Sequence, residues 1–171
     1  MVLRFLIFHF RLEAWIATFA YGAATLSLVI DITGRELIGS GVWGAPRFAV
    51  YAAISAGFLG MSLSSASGEQ IRPQLLDKVV SVRFSWAVDR MSDFVAALLY
   101  GALGVLAISF VQSTYLNGET AAVLEWPLWP IQLVLPYSFF ALTLRYVIFA
   151  CYPSDKEHFQ LLAKSEGRGH E

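Results

Sequence analysis

The stretch from Trp126 to Tyr146, WPLWPIQLVLPYSFFALTLRY, constrains the fold more than any other. It carries no charge from Trp126 to Leu144. Wound as a helix at about 1.5 Å per residue, that run crosses the roughly 30 Å hydrocarbon layer of a bilayer. Trp126 and Trp129 stand at one end, where amphipathic rings prefer the headgroup level. Pro127 and Pro130 fall in the entry turn, where a missing N–H costs little. Pro136 lies deeper and is expected to bend the helix by removing a backbone hydrogen bond. Arg145 stands at the other end. A central Arg costs roughly 2.5–3.5 kcal/mol on insertion scales, so Arg145 is expected near an interface with its guanidinium turned outward. A plain span with ordinary anchors and a partner-docking helix both fit this pattern.

Composition agrees with a membrane class. The hydrophobic fraction is 57% and the mean hydropathy is +0.59, both too apolar for an ordinary soluble domain. The 171 residues suit one compact bundle, a single domain over 1–171. The net charge of −1 gives no sign of nucleic-acid binding. Cys151 is the only cysteine, which leaves no disulfide framework and no thiolate metal cluster.

Four spans emerge, at about 14–32, 48–67, 94–116 and 126–150. Before the first, Arg4, His9 and Arg11 interrupt an apolar run. Leu3, Leu6, Ile7 and Phe10 repeat there at helical spacing, which predicts a lead-in helix on the membrane surface rather than a cleaved signal. Glu13 precedes the first span and Asp31 marks its far end. Glycines 34, 39, 41 and 44 are expected to prevent a long helix over Asp31 to Arg47. Arg35, Glu36 and Trp43 read as an interfacial segment of that loop, the two charges solvated.

The second span pairs Ala53 with Gly57 and Ala56 with Gly60, a spacing that suits close helix contact. Serines 55, 62, 64 and 65 are expected to bond back to their own helix. From about 71 to 92 an amphipathic interfacial arm is predicted, with Trp86 as an anchor. Asp89, Arg90 and Asp93 read as its solvated face. The third span has a narrow face at Ala97, Gly101 and Gly104, and Asn117 and Gly118 stop it. After Pro153 the tail reads as polar and frayed.

Basic residues set the orientation. Arg4, Arg11, Arg72, Lys78, Arg83, Arg90, Lys156, Lys164 and Arg168 fall on one side of a four-span chain, with Arg145 at its edge. Arg35 and Arg47 fall on the other. The positive-inside rule then places both termini in the cytoplasm. His9, His158 and His170 all lie outside the spans, so no axial haem pair is expected. No acidic residue lies within a predicted span short of its ends, although ion-coupled transport usually needs ionisable or unwound elements at the midplane. No P-loop, Gly-x-Ser-x-Gly or zinc spacing occurs. The expectation is an all-α integral membrane protein that is not an enzyme, with no cofactor, no metal and no substrate site, acting as an accessory subunit.

From about Asp31 to Tyr146 the chain resembles the small integral-membrane subunit of the tripartite ATP-independent periplasmic (TRAP) transporters, the DctQ type. The resemblance rests on ITGREL at 32–37, VW at 42–43, FLGMSL at 58–63, GEQIRPQLL at 68–76 and LEWPLWPIQLVLP at 124–136, followed by Arg145. It departs where family members often carry acidic residues after the tryptophan, here Gly44, Ala45 and Pro46. It departs again where they often carry His, here Gln70. The resemblance implies a multi-pass subunit of the bacterial inner membrane. Its partners would be a tightly bound large TRAP membrane subunit, a transiently docking periplasmic solute-binding protein and membrane lipids. The implied role is to scaffold the large subunit in sodium-coupled uptake of a carboxylate-type solute. Candidate subunit- or lipid-interface residues are Arg35, Glu36, Trp43, Gly57, Gly60, Trp126, Trp129, Pro136 and Arg145. Two other classes fit the four-span pattern: the small membrane subunit of a tripartite tricarboxylate transporter, and a haem-free membrane anchor of a respiratory enzyme.

Overall fold

The computed structural model describes residues 2–66, 85–121, 124–152 and 159–163. Long helices dominate them: α1 (Val2–Ile38), α2 (Ala45–Ala66), α3 (Ser85–Leu116), a single-turn α4 (Trp129–Gln132) and α5 (Val134–Cys151). Among the described residues, four stretches are long and apolar enough to cross a membrane: Arg4–Ile38, Ala45–Ser65, Arg90–Leu116 and Trp129–Cys151. α1 packs along α2, α3 packs along α5, and α2 joins the two pairs through α5. Large apolar side chains such as Trp15, Phe19, Phe94 and Leu106 face outward, as they do when the solvent is lipid.

α1 differs from expectation at both ends. The lead-in and the first span are one unbroken helix. At 37 residues it is about 55 Å long, well beyond the hydrocarbon thickness. The helix also runs through Asp31 and Gly34, because i→i−4 bonds tolerate one interior glycine at a cost of about 1 kcal/mol. Gly39, at φ 76°, ends it, and its N–H bonds to the Arg35 carbonyl at 3.1 Å. That is a left-handed helix stop of the kind glycine favours.

The loop that follows is tied down. The buried Asp31 carboxylate accepts the Val42 N–H at 2.9 Å and pairs with Arg35 at 2.8 Å. A Cβ at Gly41 would stand 2.5 Å from that carboxylate, and one at Gly44 would stand 2.5 Å from Leu124. The loop between α1 and α2 therefore closes on the connection between α3 and α4. In that connection Thr120 and Pro127 form an isolated antiparallel bridge, and Ala121 donates to the Trp126 carbonyl at 2.7 Å.

The arm expected over about 71–92 lies mainly outside the described residues. Its last part, from Ser85, continues into α3 without a break, and Asp93, expected on a solvated face, is buried. The fourth span is interrupted just ahead of Pro136, in keeping with the backbone hydrogen bond that a proline removes. Leu133, with right-handed helical dihedrals, separates α4 from α5, and Pro136 falls in the first turn of α5. Pro130 occupies the entry turn of α4 as expected.

Close backbone approach occurs between α3 and α5. A Cβ at Gly104 would come within 3.1–3.3 Å of the Phe140 ring, whereas one at Gly57 or Gly60 meets nothing within 4 Å. Gly104→Leu is therefore predicted to lower the thermal midpoint of the purified chain, an overpacking loss of about 1–3 kcal/mol. Gly57→Ala should leave that midpoint unchanged or raise it slightly. A differential-scanning or fluorescence melt of both variants checks the contrast.

Candidate functional site

The tail-side end of the bundle holds a buried polar cluster built from three helices. Glu13 of α1 and Arg145 of α5 are 0% and 2% exposed. Arg145 Nη2 donates to Glu13 Oε2 at 3.0 Å. Nη1 donates to the Ser65 hydroxyl at 3.0 Å and to the Ser62 carbonyl. The Ser62 hydroxyl donates to the same carboxylate, 3.1 Å from each oxygen, and the Ser65 hydroxyl bonds back to the Ser62 carbonyl at 3.0 Å. These hydrogen bonds offset much of the cost of taking the pair out of water, and of the guanidinium nitrogens Nε alone is left without an acceptor.

A second tier extends the cluster. His9, one turn before Glu13, places Nδ1 3.5 Å from the carboxylate. Its Nε2 lies 3.1 Å from the Tyr137 hydroxyl. With the proton on Nδ1, Nε2 accepts the tyrosine hydroxyl and the ring bridges α5 to Glu13. On the far side the Phe159 ring covers the guanidinium, its centroid 5.8 Å from Cζ.

This arrangement corrects the expectation for Arg145. Its guanidinium does not turn outward but is enclosed by the chain's own helices, because Glu13 offers a counter-charge. It also corrects the expectation for Ser62, whose hydroxyl serves Glu13 rather than its own helix. Ser55 does bond back, to the Tyr51 carbonyl at 3.0 Å. Glu13 lies inside a span-capable helix rather than ahead of one.

The other candidate residues do not join the cluster. Trp43 and Trp126 are exposed and belong to the two connections that meet at the opposite end. Arg35 and Glu36 lie in the last turns of α1, Arg35 paired with Asp31 and Glu36 exposed. Gly57 and Gly60 lie on α2, with Gly57 in a shallow groove beside Ala17, Thr18 and Tyr21 of α1. Trp129 is half-buried and stacks edge-on against Tyr115, centroids 5.7 Å apart. Pro136 is buried in α5. Sequence reasoning passed over Glu13, Ser62, Ser65, His9, Tyr137 and Phe159. A lone acid and a lone Arg at matching ends of two apolar runs were the available signal.

Fold and cluster together define an all-α, multi-pass membrane protein with a buried ion pair joining its own helices. The family model described as Tripartite ATP-independent periplasmic transporters, DctQ component, matches residues 24–153, and the chain belongs to that family. It is a small membrane subunit of a TRAP transporter, a multi-pass inner-membrane component of a tripartite system. Comparison with curated proteins gives no match.

Removing one member of a buried pair leaves an uncompensated charge, a loss of about 3–5 kcal/mol. Glu13→Gln and Arg145→Met should each lower the thermal midpoint of the chain sharply. The double variant Glu13→Leu/Arg145→Met should recover much of the loss, since apolar isosteres of a buried pair are often neutral. Additive losses in the double variant, read in the same melts, would show that the two side chains act independently.

Proposed function

We propose that the chain scaffolds the large membrane subunit of a TRAP transporter during sodium-coupled uptake of a carboxylate-bearing solute, which a periplasmic binding protein delivers. The observation that carries this reading is the family match over residues 24–153, which takes in part of α1 and all the later spans. A second observation favours a scaffold over an ion-coupling role. The Glu13 carboxylate is held by Arg145 and Ser62, so a cation would have to displace a guanidinium to reach it. Such internal neutralisation suits a rigid support better than a site that loads and releases an ion.

The interface with the large subunit and lipid is proposed to use Arg35, Glu36, Trp43 and Trp126 at one end, and Gly57 and Gly60 on α2. Trp129, Pro136 and Arg145 would act from within, by fixing the fourth span. Both termini are proposed to be cytoplasmic, in keeping with the excess of Lys and Arg on their side.

Two measurements test the reading. Arg145→Ala and Trp129→Ala should reduce the amount of intact complex in the membrane. Uptake in proteoliposomes, normalised to assembled complex, should keep its apparent sodium and solute affinities. A large rise in the sodium requirement with assembly intact would make this chain part of the ion site and end the scaffold reading. Orientation is tested with cysteines at Asn117 and at Ser165 in a Cys151→Ser background. An impermeant thiol reagent should label the first and spare the second in cells with a permeabilised outer membrane. Labelling of both would refute the four-span, both-ends-in arrangement.

A further inference from the structure

The tail was expected to be polar and frayed, yet residues 159–163 are helical and packed. Phe159 is 1% exposed, and Ala163 is also buried. The two join Leu6 of α1 and Phe149 of α5 in one apolar cluster, with Ile7, Phe10, Tyr146 and Ile148 at its margin. The Phe159 ring meets Phe10 edge-on at 6.0 Å and Phe149 at 5.9 Å. The same ring lies over the Arg145 guanidinium.

We propose that residues 159–163 form a strap that closes the tail-side end of the bundle over the Glu13–Arg145 pair and keeps water away from it. Three observations converge on this. The strap contacts both helices that carry the charges, through Phe10 on α1 and Phe149 on α5. Its one large aromatic ring stands over the guanidinium rather than over an apolar neighbour alone. Arg145 Nε is buried with no acceptor, so it is a donor that water would bind if the cover lifted.

The physical consequence is a device with two states. With the strap seated, the pair sits in a low-dielectric pocket where its attraction is strong. With the strap lifted, water screens the charges and the pair weakens toward the worth of a surface contact. Because the pair joins α1 to α5, and its serine partners join both to α2, strap docking sets how tightly these three helices are clamped. This inference stands on the chain's own contacts and does not depend on the scaffold reading.

The test is carboxyl accessibility in the full chain, reconstituted in lipid nanodiscs. A water-soluble carbodiimide with an excess of a small amine converts an accessible carboxyl to an amide, and peptide mass spectrometry reads each site. Asp31, buried at the other end of α1, is the internal control. In the unaltered chain both carboxyls should react slowly. Phe159→Ala should speed labelling of Glu13 by about tenfold or more, because losing a buried ring weakens a contact by more than that change requires. Asp31 should keep its slow rate. Phe159→Leu, which retains an apolar cover, should stay close to the unaltered chain. Ala163→Asp offers a second route, since a carboxylate on the strap's buried face should unseat it and give the same selective gain at Glu13. An unchanged Glu13 rate in both Phe159→Ala and Ala163→Asp would overturn the proposal. So would equal acceleration at Glu13 and Asp31, which would mean general loosening of the bundle.

Discussion

A charge inside an apolar bundle has to find its opposite, and the architecture at the tail-side end follows from that requirement. Arg145 cannot stay unpaired where it lies. Its partner comes from a helix 132 positions away in sequence, and the remaining hydrogen bonds come from the last turns of α2. The pair therefore fixes three helices against each other at one depth. Apolar packing alone is a weak instrument for this in lipid, since the tails are as apolar as the side chains they would replace. A directional contact with one geometry supplies the register that packing leaves loose.

The opposite end solves a related problem with different means. There the chain must turn twice, once between α1 and α2 and once between α3 and α4. Asp31 gathers the Val42 N–H and Arg35, while Gly41 and Gly44 leave room for the carboxylate and for Leu124. The bundle is thus held by two carboxylates of α1, Glu13 buried against Arg145 and the α2 serines and Asp31 seated against a loop. Between them the α3–α5 contact relies on shape, with Gly104 admitting Phe140. The exposed tryptophans and the open glycines of α2 stand outside these devices, which leaves those surfaces available to lipid or to a partner subunit.

The membrane class, the presence of long apolar helices and the family were legible because each rests on a local signal. Run length, the absence of charge and interfacial tryptophans can all be read one segment at a time. The cluster was not legible in that way. Glu13 looked like the residue before a span because the apolar run begins after it, and Arg145 looked like an interfacial anchor because such anchors are common. Nothing local says that the two share a depth and a face. The topology already implied it, since four spans return the fourth helix to the side where the first begins. Pro136 was legible in its effect: it has no N–H to give to the Gln132 carbonyl, and the regular ladder lapses within the turn before it, around Leu133. Phe159 was hidden in a tail whose average polarity masked one apolar face.

The internal engagement of Glu13 also bears on what a small subunit contributes to a transporter. A site that binds and releases a cation needs oxygen atoms whose other contacts are weak enough to be traded during each cycle. Here one oxygen of the carboxylate accepts Ser62 and lies near His9, and the other accepts Ser62 and Arg145. Trading those contacts would strand a buried guanidinium, so the arrangement resists change by the same electrostatics that stabilise it. Resistance of that kind is useful in a part that must stay still while a neighbour moves. With the strap seated, the buried Glu13–Arg145 pair is thus in keeping with the proposed scaffold: it ties α1, α2 and α5 together at one end of the bundle, and a partner packed on their outer faces meets helices whose spacing that contact sets.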